Sequence, residues 1–274
     1  MSASTTTTLN GDLKAHLKTL HLPTMRECFQ EYAHIAQRES MSYEQYLLSV
    51  VERECEVRRM HRIGRLLRES RLPLEKSLAQ FERSRLPRAI NSQIAALVEG
   101  TFLDRCENVL AFGNPGSGKT HLLCAIAQEL VQRGRRVLFT ASSMLVQELL
   151  VAKRDLKLAR IIKRLARYEL LVLDDIGYVQ QTREEMEVLF TLFAERYERG
   201  SVMITSNLPF SQWERVFKDP TTTAAAIDRL VHHSIILELN IESYRLTQSQ
   251  QRRRRDTNEE TTIDESKTIE NQAN

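Results

Sequence analysis

The sequence predicts an α/β chain: a parallel sheet flanked by helices, preceded by a small all-α domain. Three observations lead there. From Leu13 to about Glu99, apolar residues recur at helical spacing (Leu13, Leu17, Leu20; Met25, Phe29, Tyr32, Ala33; Tyr43, Tyr46, Leu47, Val50, Val51; Met60, Ile63, Leu66, Leu67), punctuated by Pro23, Pro73 and Pro87. From about Phe102 onward, five short apolar runs alternate with amphipathic stretches, the pattern of strand-helix-strand units. Between the first run and its helix lies a glycine-rich segment, Gly113-Asn114-Pro115-Gly116-Ser117-Gly118-Lys119-Thr120.

Taken in order, residues 1–10 are Ser/Thr-rich and are expected to be disordered. Residues 11–85 form the helical domain, 86–100 a connector helix, and 101–246 the α/β domain. Its strands are expected at Val109–Phe112, Val137–Thr140, Leu170–Leu173, Ser201–Thr205 and Ile235–Leu239. Residues 247–274, which carry four consecutive arginines (Arg252–Arg255) and then an acidic polar stretch, cannot bury enough apolar surface to offset the entropy of ordering.

The glycine-rich segment fits G-x-x-x-x-G-K-[ST], and its strand-loop-helix setting supplies the context that the bare pattern lacks. Glycines let successive backbone N–H groups and a helix N-terminus converge on phosphate oxygens. Lys119 then reaches the outer phosphates, and the Thr120 hydroxyl can ligate Mg2+. Leu170-Leu171-Val172-Leu173-Asp174-Asp175 is a buried strand ending in two carboxylates at the edge of the ligand crevice, the form of a Walker B element. Asp174 is the candidate for holding Mg2+, Asp175 for orienting or deprotonating the attacking water. An Asp pair that merely caps a helix is the alternative.

The strand at Ser201–Thr205 closes on Ser206-Asn207, where the Asn207 amide could both donate and accept hydrogen bonds between a water and the terminal phosphate, or simply begin a turn before Pro209. Arg229 is a candidate arginine finger for a neighbouring subunit's nucleotide, or a surface guanidinium paired with Asp228 or Glu214.

Net charge is only +3, so basic residues matter by where they cluster. Read as one helix, Ala152–Arg167 places Lys153, Lys157, Arg160, Arg164 and Arg167 within an arc of roughly 80°. With Arg154 and Lys163 alongside, it would be a cationic rail for duplex phosphates. A second cluster, including Arg59, Arg62 and Arg65, is interleaved with Glu52, Glu54, Glu56 and Glu69 and reads equally as DNA contact or internal pairing. Trp213 is the sole tryptophan and the phenylalanines lie in apolar stripes, so base stacking is not the expected mode of binding. The four cysteines are scattered without metal spacing, which fits a reducing compartment. No run approaches the ~20 apolar residues of a membrane span, and the chain is read as cytoplasmic.

GNPGSGKTHL, LLVLDDIG, ITSNLPF, AAAIDRL and ESYR, in this order, resemble the IstB/DnaC-like branch of the AAA+ ATPases, and most closely the IstB transposition helpers, over about Leu13 to Arg245. The resemblance implies an AAA+ core without a separate helical lid, Asn207 as the sensor 1 residue, Arg229 as the finger and Arg245 as a second arginine near the nucleotide. It also implies that the inserted helix after the second strand faces DNA, as in the related initiators. Asp175 stands where most AAA+ members have Glu, a shorter reach that bears on hydrolysis and leaves binding intact. The expected function is an ATP- and Mg2+-dependent ATPase that oligomerises on duplex DNA and recruits or stimulates a cognate transposase. A helicase loader and, further off, a small-molecule P-loop kinase are the alternatives.

Overall fold

The computed structural model describes residues 2–176, 182–208, 212–213, 230–241 and 243. The chain divides into two compact units, Met1–Arg65 and Leu66–Asn274. The first holds α1 (Ser2–Thr19), α2 (Pro23–Arg38) and most of α3 (Tyr43–Ser70) around Leu17, Phe29 and Val50. The start of the chain, expected to be disordered over 1–10, is helical from Ser2. Once the Leu13–Leu17 turns exist, each added residue gains a backbone hydrogen bond for fixing one residue, without the cost of a new nucleus. Within this unit the buried Glu54 carboxylate accepts from the Met25 N–H (2.9 Å) at the start of α2 and from Arg58 (2.6 Å). Burial opposes its ionisation, but these donors outweigh it and hold the group below the ordinary glutamate range.

The second unit contains α4 (Arg88–Glu99), α5 (Thr101–Asp104), β1 (Asn108–Phe112), α6 (Lys119–Gln132), β2 (Val137–Ala141), α7 (Ser142–Arg154), α8 (Leu158–Leu165), β3 (Leu170–Asp174), α9 (Arg183–Arg196), β4 (Ser201–Ser206) and β5 (Ser234–Glu238). The strands lie parallel in the order β2-β3-β4-β1-β5. Alternation along each strand sorts the side chains between two cores. Val109, Ala111, Val172 and Met203 join α4 and α6, while Leu110, Leu171, Leu173, Val202 and Ile204 join α7 and α9. Trp213 belongs to the second core, 6.0 Å edge-to-face from Phe112. All five expected strands are present.

Two expectations change. The boundary placed at 85/86 falls at Arg65/Leu66 instead, because Leu66, Leu72, Leu86, Ile90, Ile94 and Leu97 bury in the same core as β1 and α6. The connector helix is thus α4 of the α/β unit, which begins well before residue 101. The cationic rail is also broken. α7 stops at Arg154 and α8 starts at Leu158, with Leu156 left-handed at φ 57°. Leu156 N–H donates to Lys153 O and Lys157 N–H to Ala152 O, a helix-terminating pair of bonds that glycine usually hosts. The break turns Leu158, Ile161 and Leu165 toward the core.

Arg196, only 4% exposed, closes α9 without a carboxylate partner among the described residues. Its guanidinium donates to the carbonyls of Leu165, Tyr168, Glu169 and Ser201, tying the end of α8 to the starts of β3 and β4. Burial lowers its pKa to about 10, which still leaves it charged at neutral pH. Arg196→Met is expected to cost about 3 kcal/mol or more, since four carbonyls, two buried and two half-buried, lose a donor together. Urea unfolding measures this, and an unchanged midpoint would mean those carbonyls find other donors.

Candidate functional site

Parallel strands deliver the residues beyond their carboxyl ends to one edge of the sheet. Here that edge carries the loop after β1, the two acids ending β3 and the polar end of β4. They line a cavity of about 710 Å3 together with Lys76, Gln80, Phe81, Glu82, Arg85, His121 and Ile241. Such a volume suits a ligand of nucleotide size.

The loop needs its glycines for specific reasons. Gly113 lies at φ 150°, and a Cβ there would run into the Leu239 carbonyl, because the end of β5 hydrogen-bonds directly to Phe112. Gly116, at φ 81°, would collide with Ser243. With this curl in place, Asn114, Pro115, Ser117 and Gly118 wrap the start of α6. Lys119 is nearly buried, its Nζ donating to the carbonyls of Gly113 (2.7 Å) and Asn114 (2.8 Å). Ser117 Oγ is buried with no hydrogen-bond partner among the described residues. Helix N-terminus, ammonium and this hydroxyl together form a donor set suited to phosphate oxygens.

Across the cavity the polar groups form a connected chain. Asp174 Oδ1 accepts from Thr120 Oγ1 and from Thr205 Oγ1, both at 2.7 Å. The same Thr205 hydroxyl accepts from the Asp175 N–H at 2.7 Å, and the Thr205 carbonyl accepts from the Ile176 N–H at 2.9 Å. These bonds hold Asp175 in a left-handed conformation at φ 64°, one that Asp tolerates better than most residues. Asn207 Nδ2 then donates to Asp175 Oδ1 at 3.1 Å. Hydroxyl and carboxylate at Thr120 and Asp174 are hard oxygen donors that fit Mg2+. The Asp175 pKa is raised, first by burial and then by the adjacent Asp174 charge, with Lys119 pulling the other way.

The structure thus gathers Lys119, Thr120, Asp174, Asp175 and Asn207, which lie far apart in sequence. Arg229 and Arg245 lie outside the described residues, as does the arginine run at 252–255. Of the broken rail, Lys153 pairs with Glu187 (2.8 Å), Arg164 with Glu148, and Arg154 and Lys157 both approach Asp155 (3.6 Å). Arg160, Lys163 and Arg167 are exposed and make no ion pair among the described residues. Arg59, Arg62 and Arg65 are exposed on α3.

Sequence reasoning missed Thr205 and the strap at residues 72–86. Thr205 had a signal: Leu173 pairs with Ile204, so parallel register sets the next residues, Asp174 and Thr205, side by side. Phe81 and its neighbours had none, because only long-range packing brings them to the loop.

Comparison with known proteins gives the family and the fold. Residues 15–252 match the family model described as IstB-like ATP binding protein. An insertion-sequence ATP-binding protein of Sinorhizobium fredii is 45% identical over 230 residues, covering 84% of this chain and 77% of the relative. The insertion sequence IS21 ATP-binding protein of Pseudomonas aeruginosa is 36% identical over 234 residues, covering 85% and 87%. Among solved structures, DnaI matches with TM-score 0.52 and 22% identity over 61% of this chain and 94% of its own. AMPPCP-bound DnaA from Aquifex aeolicus matches with TM-score 0.51 and 19% identity, over 63% and 52%. These two likenesses show an AAA+ P-loop fold. On its sequence, its fold and the match over most of its length, this chain belongs to the IstB-like ATP-binding proteins.

Proposed function

We propose that the protein is an ATP-hydrolysing assembly factor that binds duplex DNA as an oligomer and recruits or stimulates a transposase there. The observation that carries the ATPase reading is the polar chain Thr120–Asp174–Thr205–Asp175–Asn207 facing Lys119 across one cavity. Lys119 and the loop N–H groups bind the phosphates, and Thr120 with Asp174 would hold Mg2+, which neutralises phosphate charge when bound. Asp175, aimed by Asn207 and by its own N–H bond to Thr205, orients the attacking water and receives its proton. Arg229 from a neighbouring subunit would complete the site, and Arg245 would add a second cation, so that nucleotide binding and assembly are linked.

The DNA and transposase part draws support from the insertion-sequence names of the relatives and from exposed cations. Of the cations after β2, Arg160, Lys163 and Arg167 are placed for phosphate contact, since they are exposed without an ion pair among the described residues. Their joint replacement by Ala is expected to weaken ATP-dependent binding to plain duplex and to flatten its salt dependence by about three counterions. Gel shifts over a salt series measure this. An unchanged slope would remove these three residues from the DNA interface. No ATP-promoted shift by the wild-type protein would remove DNA from the proposal, and capture of a replicative helicase without transposase would favour the loader reading.

A further inference from the structure

The chain between α3 and α4 has little regular structure of its own. It contains two short 3-10 turns, Leu78–Gln80 and Arg83–Arg85, neither with a side-chain cap. Yet it supplies Lys76, Gln80, Phe81, Glu82 and Arg85 to the wall of the nucleotide cavity. Leu72 and Leu86 anchor its two ends in the core. Between them α6 holds it. Gln128 Nε2 donates to the carbonyls of Pro73 (2.8 Å) and Lys76 (3.1 Å), and His121 Nε2 meets the Ser77 carbonyl at 2.9 Å. A carbonyl can only accept, so His121 carries its proton on Nε2.

His121 has a second contact. Its ring meets Phe81 edge-on, centroids 5.2 Å apart and planes at 69°. Phe81 also packs so closely on the phosphate loop that its Cε2 would stand 3.1 Å from a Cβ at Gly118. His121 directly follows Lys119 and Thr120. One turn of α6 therefore presents the phosphate-binding side chains on one side and grips the strap on the other.

We infer that His121 is a positioning residue for the nucleoside end of the ligand, acting through the strap and Phe81. The inference rests on the cavity being the nucleotide site. Phosphates held at Lys119 and Thr120 leave the base and ribose to lie along the remaining lining, which is the strap and Ile241. The Phe81 ring and Ile241 supply its apolar surface, as a base requires. Without the Ser77 bond and the ring contact, residues 77–82 lose two of the constraints that fix this wall and keep only the packing of Leu78 and Phe81 on the core, while the loop and its lysine keep theirs. The site then binds triphosphate as before and loses its hold on the nucleoside.

Titration of the full-length protein in Mg2+ with ATP and, separately, with inorganic tripolyphosphate separates the two ends. His121→Ala is expected to weaken ATP about tenfold, the loss of a hydrogen bond plus a ring contact. Its tripolyphosphate affinity should stay within about twofold of wild type. His121→Gln, whose amide can donate to the Ser77 carbonyl, should recover most of the ATP affinity. Phe81→Leu should show the same one-sided loss and serves if His121→Ala folds poorly. Equal losses for both ligands, or no loss for either, would overturn the assignment. Lys119→Ala reports on the underlying site by itself: it should lose both ligands, and wild-type affinity there would mean the cavity is not the nucleotide site.

Discussion

Lys119→Ala is expected to raise the Kd for ATP by a little over a hundredfold, about 3 kcal/mol, without unfolding the protein. The size follows from the charges in the cavity. Asp174 and Asp175 face the position of the phosphates, and Lys119 stands close enough to lower the Asp175 pKa. Removing the ammonium leaves two carboxylates opposite a polyanion. Fold stability should change little, because the hydrogen-bond acceptors lost include the Gly113 and Asn114 carbonyls, which lie on a loop at the cavity surface. Titration with a fluorescent ATP analogue beside a thermal melt measures both. An unchanged Kd would remove the loop from nucleotide binding.

Asp175→Asn should leave ATP binding near wild type and cut hydrolysis by about a hundredfold or more, the contribution of a positioned base. The pH dependence gives a second reading. The carboxyl has a folded pKa above its unfolded value, raised by burial and by Asp174. Such a group stabilises the fold below its unfolded pKa and loses that contribution as pH rises through the folded one. At neutral pH the ionised Asp175 therefore costs stability, and the neutral Asn should melt at the same temperature or higher. Activity runs the other way: wild-type hydrolysis should rise with pH through a midpoint above that of an ordinary aspartate, and the Asn variant should lack this limb. A variant that keeps full turnover would move the base elsewhere. Asp at this position is tenable because its backbone, held by Thr205, and its carboxylate, held by Asn207, are both fixed.

Much of the site was legible because its chemistry is local. Gly113 to Thr120 are consecutive, and Asp174-Asp175 close an apolar run that can only be a buried strand. Each strand of the sheet announced itself in the same way. The broken rail was not legible. Little in Ala152–Arg167 marks a turn: there is no Gly, no Pro and no Asn, only Asp155. The break at Leu156 occurs because packing Leu158, Ile161 and Leu165 onto the core outweighs the cost of one left-handed leucine. The domain boundary failed for a related reason. Leu66 continues the helical spacing of the chain before it, and only the surface that Leu66, Leu72 and Leu86 pack against assigns them to the α/β unit.

The sequence by itself therefore determined the strand and helix order, the phosphate loop, the acid pair and the family, all of which depend on residues near one another in the chain. Tertiary structure decided what depends on register and long-range packing. Parallel pairing set Thr205 beside Asp174 and so fixed both acids. Packing of α6 against the strap brought Phe81 to the loop, 37 positions from Gly118 by subtraction of their numbers. Side-chain pattern encodes which face of an element is buried, but not which distant element covers it.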